Sequence, residues 1–232
     1  LYEYGVSRDV FANFAVNAHR NASTNPNAML GFPITEEAYL NSPPVAEPLT
    51  LLDCCPTGDG SASVVLCPRE RAHEFTDKPI HIRASAIATD SLALHNRRRL
   101  LELRASYESA QKAYAQAGLG PADIDIFEVH DAFTIMACCS LEACGFAEPG
   151  QGWRLAADGE IGLDGKLPLA TMGGLKARGH PVGTTGLYQI VELTQQLRGE
   201  AGPNQVPNAQ IGMSQSVGGS GATIVTHILE AG

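Results

Sequence analysis

No apolar run in this chain of 232 residues approaches the ~20 residues that a helix needs to cross a bilayer, so no membrane span is expected. Leu1 to Asp9 has no basic start followed by an apolar block, so no signal peptide is read there. The chain also does not open on Met, and further sequence upstream is expected. Positive charge is scarce: 16 Lys and Arg stand against 25 Asp and Glu, a net charge of −9, which argues against a nucleic-acid partner. The densest basic run, Arg97-Arg98-Arg99 with Arg104 close behind, reads as a solvated face or a local seat for an anion. The six cysteines include two adjacent pairs, Cys54-Cys55 and Cys138-Cys139, and form no Cys-x-x-Cys. That spacing speaks against a zinc site or a disulfide framework and for reduced thiols in a cytoplasmic protein, with no metal.

What the chain does have is enough apolar content, 44%, to bury a core as one large or two small domains. Ser7 to Asn25 reads as a helix capped by Ser7. Asn21 to Pro48, rich in Asn, Pro and Ser, reads as a surface excursion. Ser63-Val64-Val65-Leu66 suits a strand buried on both faces. A charged stretch, Pro68 to Lys78, leads to a boundary that divides the chain into residues 1–77 and 78–232. In the second unit, Ile80 to Thr89 reads as a strand, and Leu100 to Ala117 as a helix with Tyr107, Ala110 and Tyr114 on one face. Ile126 to Val129 is a strand, Thr134 to Ala143 an apolar helix, and a helix follows Gly186. Ala209 to Met213 and Ala222 to Leu229 are two final strands that can pair as an antiparallel edge. Alternating strands and helices imply an α/β unit with a largely parallel sheet covered on both faces.

Three segments carry candidate chemistry, each at a strand end or in a glycine-rich turn, where ligand sites in open α/β sheets gather. The first is Gly173-Gly174-Leu175-Lys176-Ala177-Arg178-Gly179-His180-Pro181-Val182-Gly183-Thr184-Thr185-Gly186. Its glycines and proline make a crowded loop that presents one imidazole. No Gly-Lys-Ser/Thr closes it, so it is not a P-loop. His180 is either structural or a general base. The neighbouring Lys176 and Arg178 charges lower its pKa, attract an anionic substrate, or point to solvent. The second is His130-Asp131, where His130 either donates to a bound oxygen or caps the next helix, and Asp131 fits an N-cap of that helix. The third is Ser214 to Gly221, a hairpin turn or an oxyanion hole built of glycine amides.

Together these segments resemble the thiolase superfamily, in its C-terminal half. The Gly173–Gly186 run looks like the family's Gly-His-Pro loop. His130-Asp131-Ala132-Phe133 looks like its Asn-Glu-Ala-Phe motif in the His-Asp-x-Phe form of the lipid-transfer (sterol-carrier-protein) type. Val217-Gly218-Gly219-Ser220-Gly221 looks like the hairpin that normally carries Cys-x-Gly, and Leu52-Asp53-Cys54-Cys55-Pro56 like the end of the first half. The resemblance implies a C-terminal βαβαβαββ half (residues 78–232) plus the tail of the N-terminal half (1–77), with αβαβα layers in the complete enzyme. It implies a CoA thioester substrate, no permanently bound cofactor, and a homo-oligomer. His180 would activate a nucleophilic cysteine, and His130 would help form the oxyanion hole beside the Ser216, Gly218 and Gly219 turn. Cys55 and Arg178 would contact CoA. Two departures stand out. The nucleophilic cysteine would lie upstream of Leu1 or on a separate subunit. Ser216 and Ala132 stand where the family places its second cysteine, and a hydroxyl is a far weaker acid than a thiol. The activity implied is a 3-ketoacyl-CoA thiolase-like acyltransferase. The alternatives are an aldolase or lyase on a 3-hydroxyacyl-CoA, with a small zinc-ribbon and OB-fold partner as in some relatives, or a non-catalytic acyl-CoA- or lipid-binding subunit.

Overall fold

In a computed structural model that describes residues 1–232, the chain opens with a 3₁₀ turn, Arg8–Phe11, that runs into α1 (Ala12–Ala22). Ser7 heads the turn, but its hydroxyl bonds the Asp9 carboxylate instead of capping a backbone amide. α1 buries Phe14, Ala15, Ala18 and His19, residues three or four apart on one side. The expected excursion follows. It carries α2 (Glu36–Leu40) and a two-strand ribbon of β1 (Pro44–Ala46) and β2 (Leu49–Thr50). Asp53 anchors it: the buried carboxylate accepts from the hydroxyls of Tyr39, Thr50 and Thr134 and from the Thr50 amide.

Ser63 to Leu66 is not the buried strand expected from its composition. The run belongs to no ladder, and Val65 is 89% exposed. β-branched residues favour a strand only where a neighbouring strand takes up the backbone groups, and this run pairs with no strand of the sheet.

The sheet is built from β3 (Ile80–Thr89), β4 (Ile126–Glu128), β5 (Ile211–Gly218) and β6 (Thr223–Ala231), in the order β3-β6-β5-β4. Between these strands lie α3 (Arg104–Ala117), α4 (Thr134–Ala143), α5 (Gly152–Ala157) and α6 (Thr185–Arg198). The expectation of a largely parallel sheet is corrected: only β4 and β5 run parallel. Parallel neighbours need a long crossover, which the helical stretch between β4 and β5 supplies, whereas β5 and β6 share a tight turn and must be antiparallel. That hairpin also lies at the centre of the sheet, flanked by β3 and β4, and not at an edge.

The polar stretch Ser214 to Gly221, expected as a turn, is mostly strand. Ser214 pairs with His227 and Gly218 with Thr223, so the turn is confined to Gly219–Ala222. Polar residues persist in the strand because they are satisfied there. Buried Gln215 accepts from Ser106 Oγ and donates to Thr226 Oγ1 at 3.0 Å.

α3 covers one sheet face, where Ala84, Ala86 and Ala88 on β3 and Ile224 and Ile228 on β6 are buried. Its buried stripe is Ser106, Ser109, Ala110, Ala113, Tyr114 and Ala117; Tyr107, expected on that face, is exposed. On the opposite face Leu193 and Leu197 of α6 join Ile126, Val206, Ala209 and Leu229. A Cβ on Gly212 would come within 2.7 Å of Leu193, so the glycine lets α6 approach β5. Phe11, Phe14 and Tyr39 share one core with Phe127 and Ile228, which fastens the first 77 residues to the sheet. No helix is long and apolar enough to cross a membrane.

Candidate active site

The parallel pairing of β4 with β5 sets the site. It matches Glu128 with Ser214, so the chain leaving β4 passes beside Ser216 to Gly218. His130 sits in that exit, buried, with Nδ1 enclosed and without a hydrogen-bond partner. It therefore does not cap a helix. Asp131 does not cap α4 either: the helix starts after Phe133 with no side-chain cap. The Asp131 carboxylate turns the other way and accepts from the Leu175 amide at 2.7 Å and the Lys176 amide at 3.4 Å.

Those amides belong to the glycine-rich loop. Gly174–Arg178 winds as one π-helical turn between Gly173 (φ 104) and Gly179 (φ 120). Both flanking values lie where only glycine is at ease. His180 follows. Its amide donates to the Pro56 carbonyl at 3.0 Å, and its carbonyl accepts from Gly58. One residue earlier on the same strap, the Cys55 amide donates to the Ala132 carbonyl at 2.9 Å. A single extended strap thus ties the His130 loop to the His180 loop. His180 Nδ1 lies 2.7 Å from Oγ1 of Thr185, the first residue of α6.

The two imidazoles meet edge to face, 5.1 Å between centroids and 88° between planes. A pocket of about 510 Å³ opens at the pair. Ser216, Gly218 and Gly219, named from the sequence, line it together with Phe133, Met136 and Val225. The structure thus brings both histidines and the hairpin residues into one place. No cysteine of this chain lines the pocket. Cys55 lies on the strap and not in the pocket lining, its thiol pushed up to about 11 by burial and by Asp131. Arg178 also lies outside the pocket lining. Its guanidinium is 4% exposed, paired with Glu192 and stacked 4.8 Å from the Tyr188 ring, and it does not reach the pocket. Lys176 is buried as well, with Nζ 3.3 Å from His19 Nε2.

Electrostatics keep both rings neutral near pH 7. Burial, then the charges of His180 and Arg178, push His130 down to about 3. Burial and Arg178 also hold His180 below the ordinary histidine value. Arg178 therefore does act on the site, through its field. A neutral imidazole carries one N–H and one lone pair. A buried N–H without an acceptor is costly, so the His130 proton belongs on Nε2, where it is a donor. With His180 Nδ1–H donating to Thr185, Nε2 keeps its lone pair and is a base. The pocket therefore holds one donor and one base side by side. Behind it, burial and the nearby Glu192 push Glu128 up to about 8; one of its oxygens accepts from the Thr171 amide and hydroxyl, and the other has no partner.

Sequence reading missed Thr185 as the partner of His180, although a hydroxyl at the first position of the helix after Gly-His-Pro was its signal. It also missed Phe133 and Met136, which sit three residues apart at the start of α4 and face the pocket. The long reach of Asp131, 44 residues along the chain, had no local signal.

Residues 86–231 match the family described as Thiolase C-terminal domain-like. The chain is 47% identical over 228 residues to an acetyl-CoA acetyltransferase of Methanothermobacter thermautotrophicus, covering 98% of this chain and 60% of that protein. It is 36% identical over 228 residues to sterol carrier protein 2 of Rattus norvegicus, covering 96% of this chain and 42% of that protein. Among solved structures, the Ltp2-ChsH2(DUF35) aldolase superposes with a TM-score of 0.88 at 29% identity, over 99% of this chain and 60% of that one. The chain thus spans about 60% of the acetyltransferase's length and less than half of sterol carrier protein 2.

Proposed function

Because this chain belongs to the thiolase C-terminal domain-like family, we propose that it supplies the base and the oxyanion donor of an enzyme that makes or breaks a carbon–carbon bond in an acyl-CoA. The observation that carries this reading is the pair of neutral imidazoles, His130 and His180, held edge to face in one pocket. His180 Nε2 takes the proton of a cysteine thiol contributed by protein outside residues 1–232. The thiolate adds to the keto carbonyl of a 3-ketoacyl-CoA, and His130 Nε2–H donates to the oxygen that gains charge. The carbon–carbon bond then breaks and its electron pair leaves with the α-carbon of acetyl-CoA, which takes up the proton held on His180 and departs. The thiol of free CoA, deprotonated in turn by His180, takes the acyl group from the S-acyl enzyme, and the cysteine leaves as a thiolate that recovers the proton. The substrate is the CoA thioester, and no permanently bound cofactor takes part.

Residues 1–77 are read as the end of the N-terminal thiolase half and 78–232 as the C-terminal domain. The complete protein is read as a homo-oligomer and as cytoplasmic, the latter in keeping with the spacing of the six cysteines in residues 1–232, which suits reduced thiols. On this reading the chain by itself is inactive.

A second reading has its own support. Ser216, not a cysteine, faces the pocket, and the aldolase of similar structure is a complex with a second component, ChsH2(DUF35). Retro-aldol cleavage of a 3-hydroxyacyl-CoA needs a base and a donor but no acyl-enzyme, and a small zinc-ribbon and OB-fold partner goes with it. Product analysis on the complete enzyme separates the two. Cleavage of a 3-ketoacyl-CoA that depends on free CoA supports the thiolase reading. Cleavage of a 3-hydroxyacyl-CoA without CoA, with the nucleophilic cysteine replaced, overturns it in favour of the aldolase.

A further inference from the structure

Asp131 performs none of the chemistry above, yet its carboxylate joins the two loops that do. It is the residue next to His130, and it accepts from the amides of Leu175 and Lys176 in the turn that leads to His180. The fit leaves no slack. A Cβ on Gly174 would come within 2.2 Å of Asp131 Oδ2, and Gly174 itself has a φ of 56. The loop therefore needs glycine there twice over, for its backbone and for the carboxylate. Asp131 is 5% exposed, and a carboxylate so placed must be satisfied locally. The two amides do part of this. The buried cations add their fields without a direct ion pair: Arg178 favours the charged carboxylate, and Lys176 borders the same cavity of about 10 Å³ as Asp131.

We propose that Asp131 is a positioning residue: its carboxylate clamps the Gly174–Arg178 turn onto the His130 loop and so sets the spacing of His180 from His130. Gly174 is the space that the clamp needs. The proposal rests on the reading of His180 as the base. Asp131 acts only through that base, so its loss costs nothing once the base is gone.

The test is a double-mutant cycle in the complete enzyme, read as the rate of acyl-enzyme formation from a 3-ketoacyl-CoA. Asp131→Asn puts an amide NH₂ against one of the two backbone donors and breaks the clamp with little change of shape. In the wild-type background it is expected to slow acylation at least about tenfold, with KM changed less than about threefold. In a His180→Ala background, where the residual acylation is followed over correspondingly longer times, the same change is expected to cost less than about twofold. Equal losses in both backgrounds, or no loss in the wild type, overturn the proposal. If Asp131→Asn does not fold, Gly174→Ala presses on the same contact and is read in the same cycle; failure of both to fold also overturns it, since Asp131 is then a folding residue. Normal acylation by His180→Ala alone strikes instead at the assignment of the base.

Discussion

Thr185 Oγ1 lies 2.7 Å from His180 Nδ1, and Thr185 opens α6, so a helix rather than a loop sets the orientation of the imidazole. Thr185→Val keeps the branched shape and removes the acceptor. Acyl-enzyme formation is expected to slow by at least about tenfold, a fraction of the ~10² to 10⁴ that a positioned base supplies. Thr185→Ser is expected to restore most of the rate. Rapid-quench kinetics on the complete enzyme check this, and an undiminished rate in the valine variant would show that something else orients the ring.

The pH profile follows from the charge behind the site. Burial and Arg178 depress the pKa of His180, and the base must be neutral to work. The acidic limb of kcat/KM is therefore expected below 6.5, the ordinary histidine value. Replacing Arg178 and Glu192 together by Gln removes the cation without leaving a buried carboxylate unpaired. Protonating His180 then costs less, its pKa rises, and activity is lost at a higher pH. A limb that stays where it was contradicts the role given to Arg178.

Glu128 predicts a stability effect of definite sign. Burial, together with Glu192, raises its pKa from 4.5 to about 8 in the folded protein. The folded state therefore holds a proton that the unfolded state has released. That contribution is fully present below 4.5 and is lost as pH rises through the folded value near 8. Glu128→Gln keeps the group neutral at every pH. Its unfolding midpoint is expected to fall less than the wild type's over that range, as read by thermal melts of both proteins. Parallel curves would mean that Glu128 is ionised in the folded state.

These outcomes depend on groups of very different visibility in the sequence. His130, His180, Ser216, Gly218 and Gly219 were legible because glycine, proline and histidine at short spacing leave few conformations open, and the structure gathers all five at one pocket. α4 was legible to the residue, since an apolar run with a glycine stop has a single reading. Strand direction was not. Nothing local in Ala209 to Leu229 says that its two strands lie mid-sheet, because β3, their partner on one side, comes from more than a hundred residues away. Val64 and Val65 carry strand propensity but pair with no neighbour, and propensity alone does not supply one. The partners of Asp131 and Arg178 were hidden for a shared reason. A charged side chain beside a candidate site suggests an exposed ligand contact or a local cap, whereas both are buried and paired with distant residues.

The most direct test of the account is the mass of the complete enzyme after brief exposure to a 3-ketoacyl-CoA, with His180 intact and with His180→Ala. The account predicts an added acyl group on the wild type and none on the alanine variant over the same interval, with the variant still folded. Acylation of the variant at close to the wild-type rate would contradict it, because the base would then lie elsewhere.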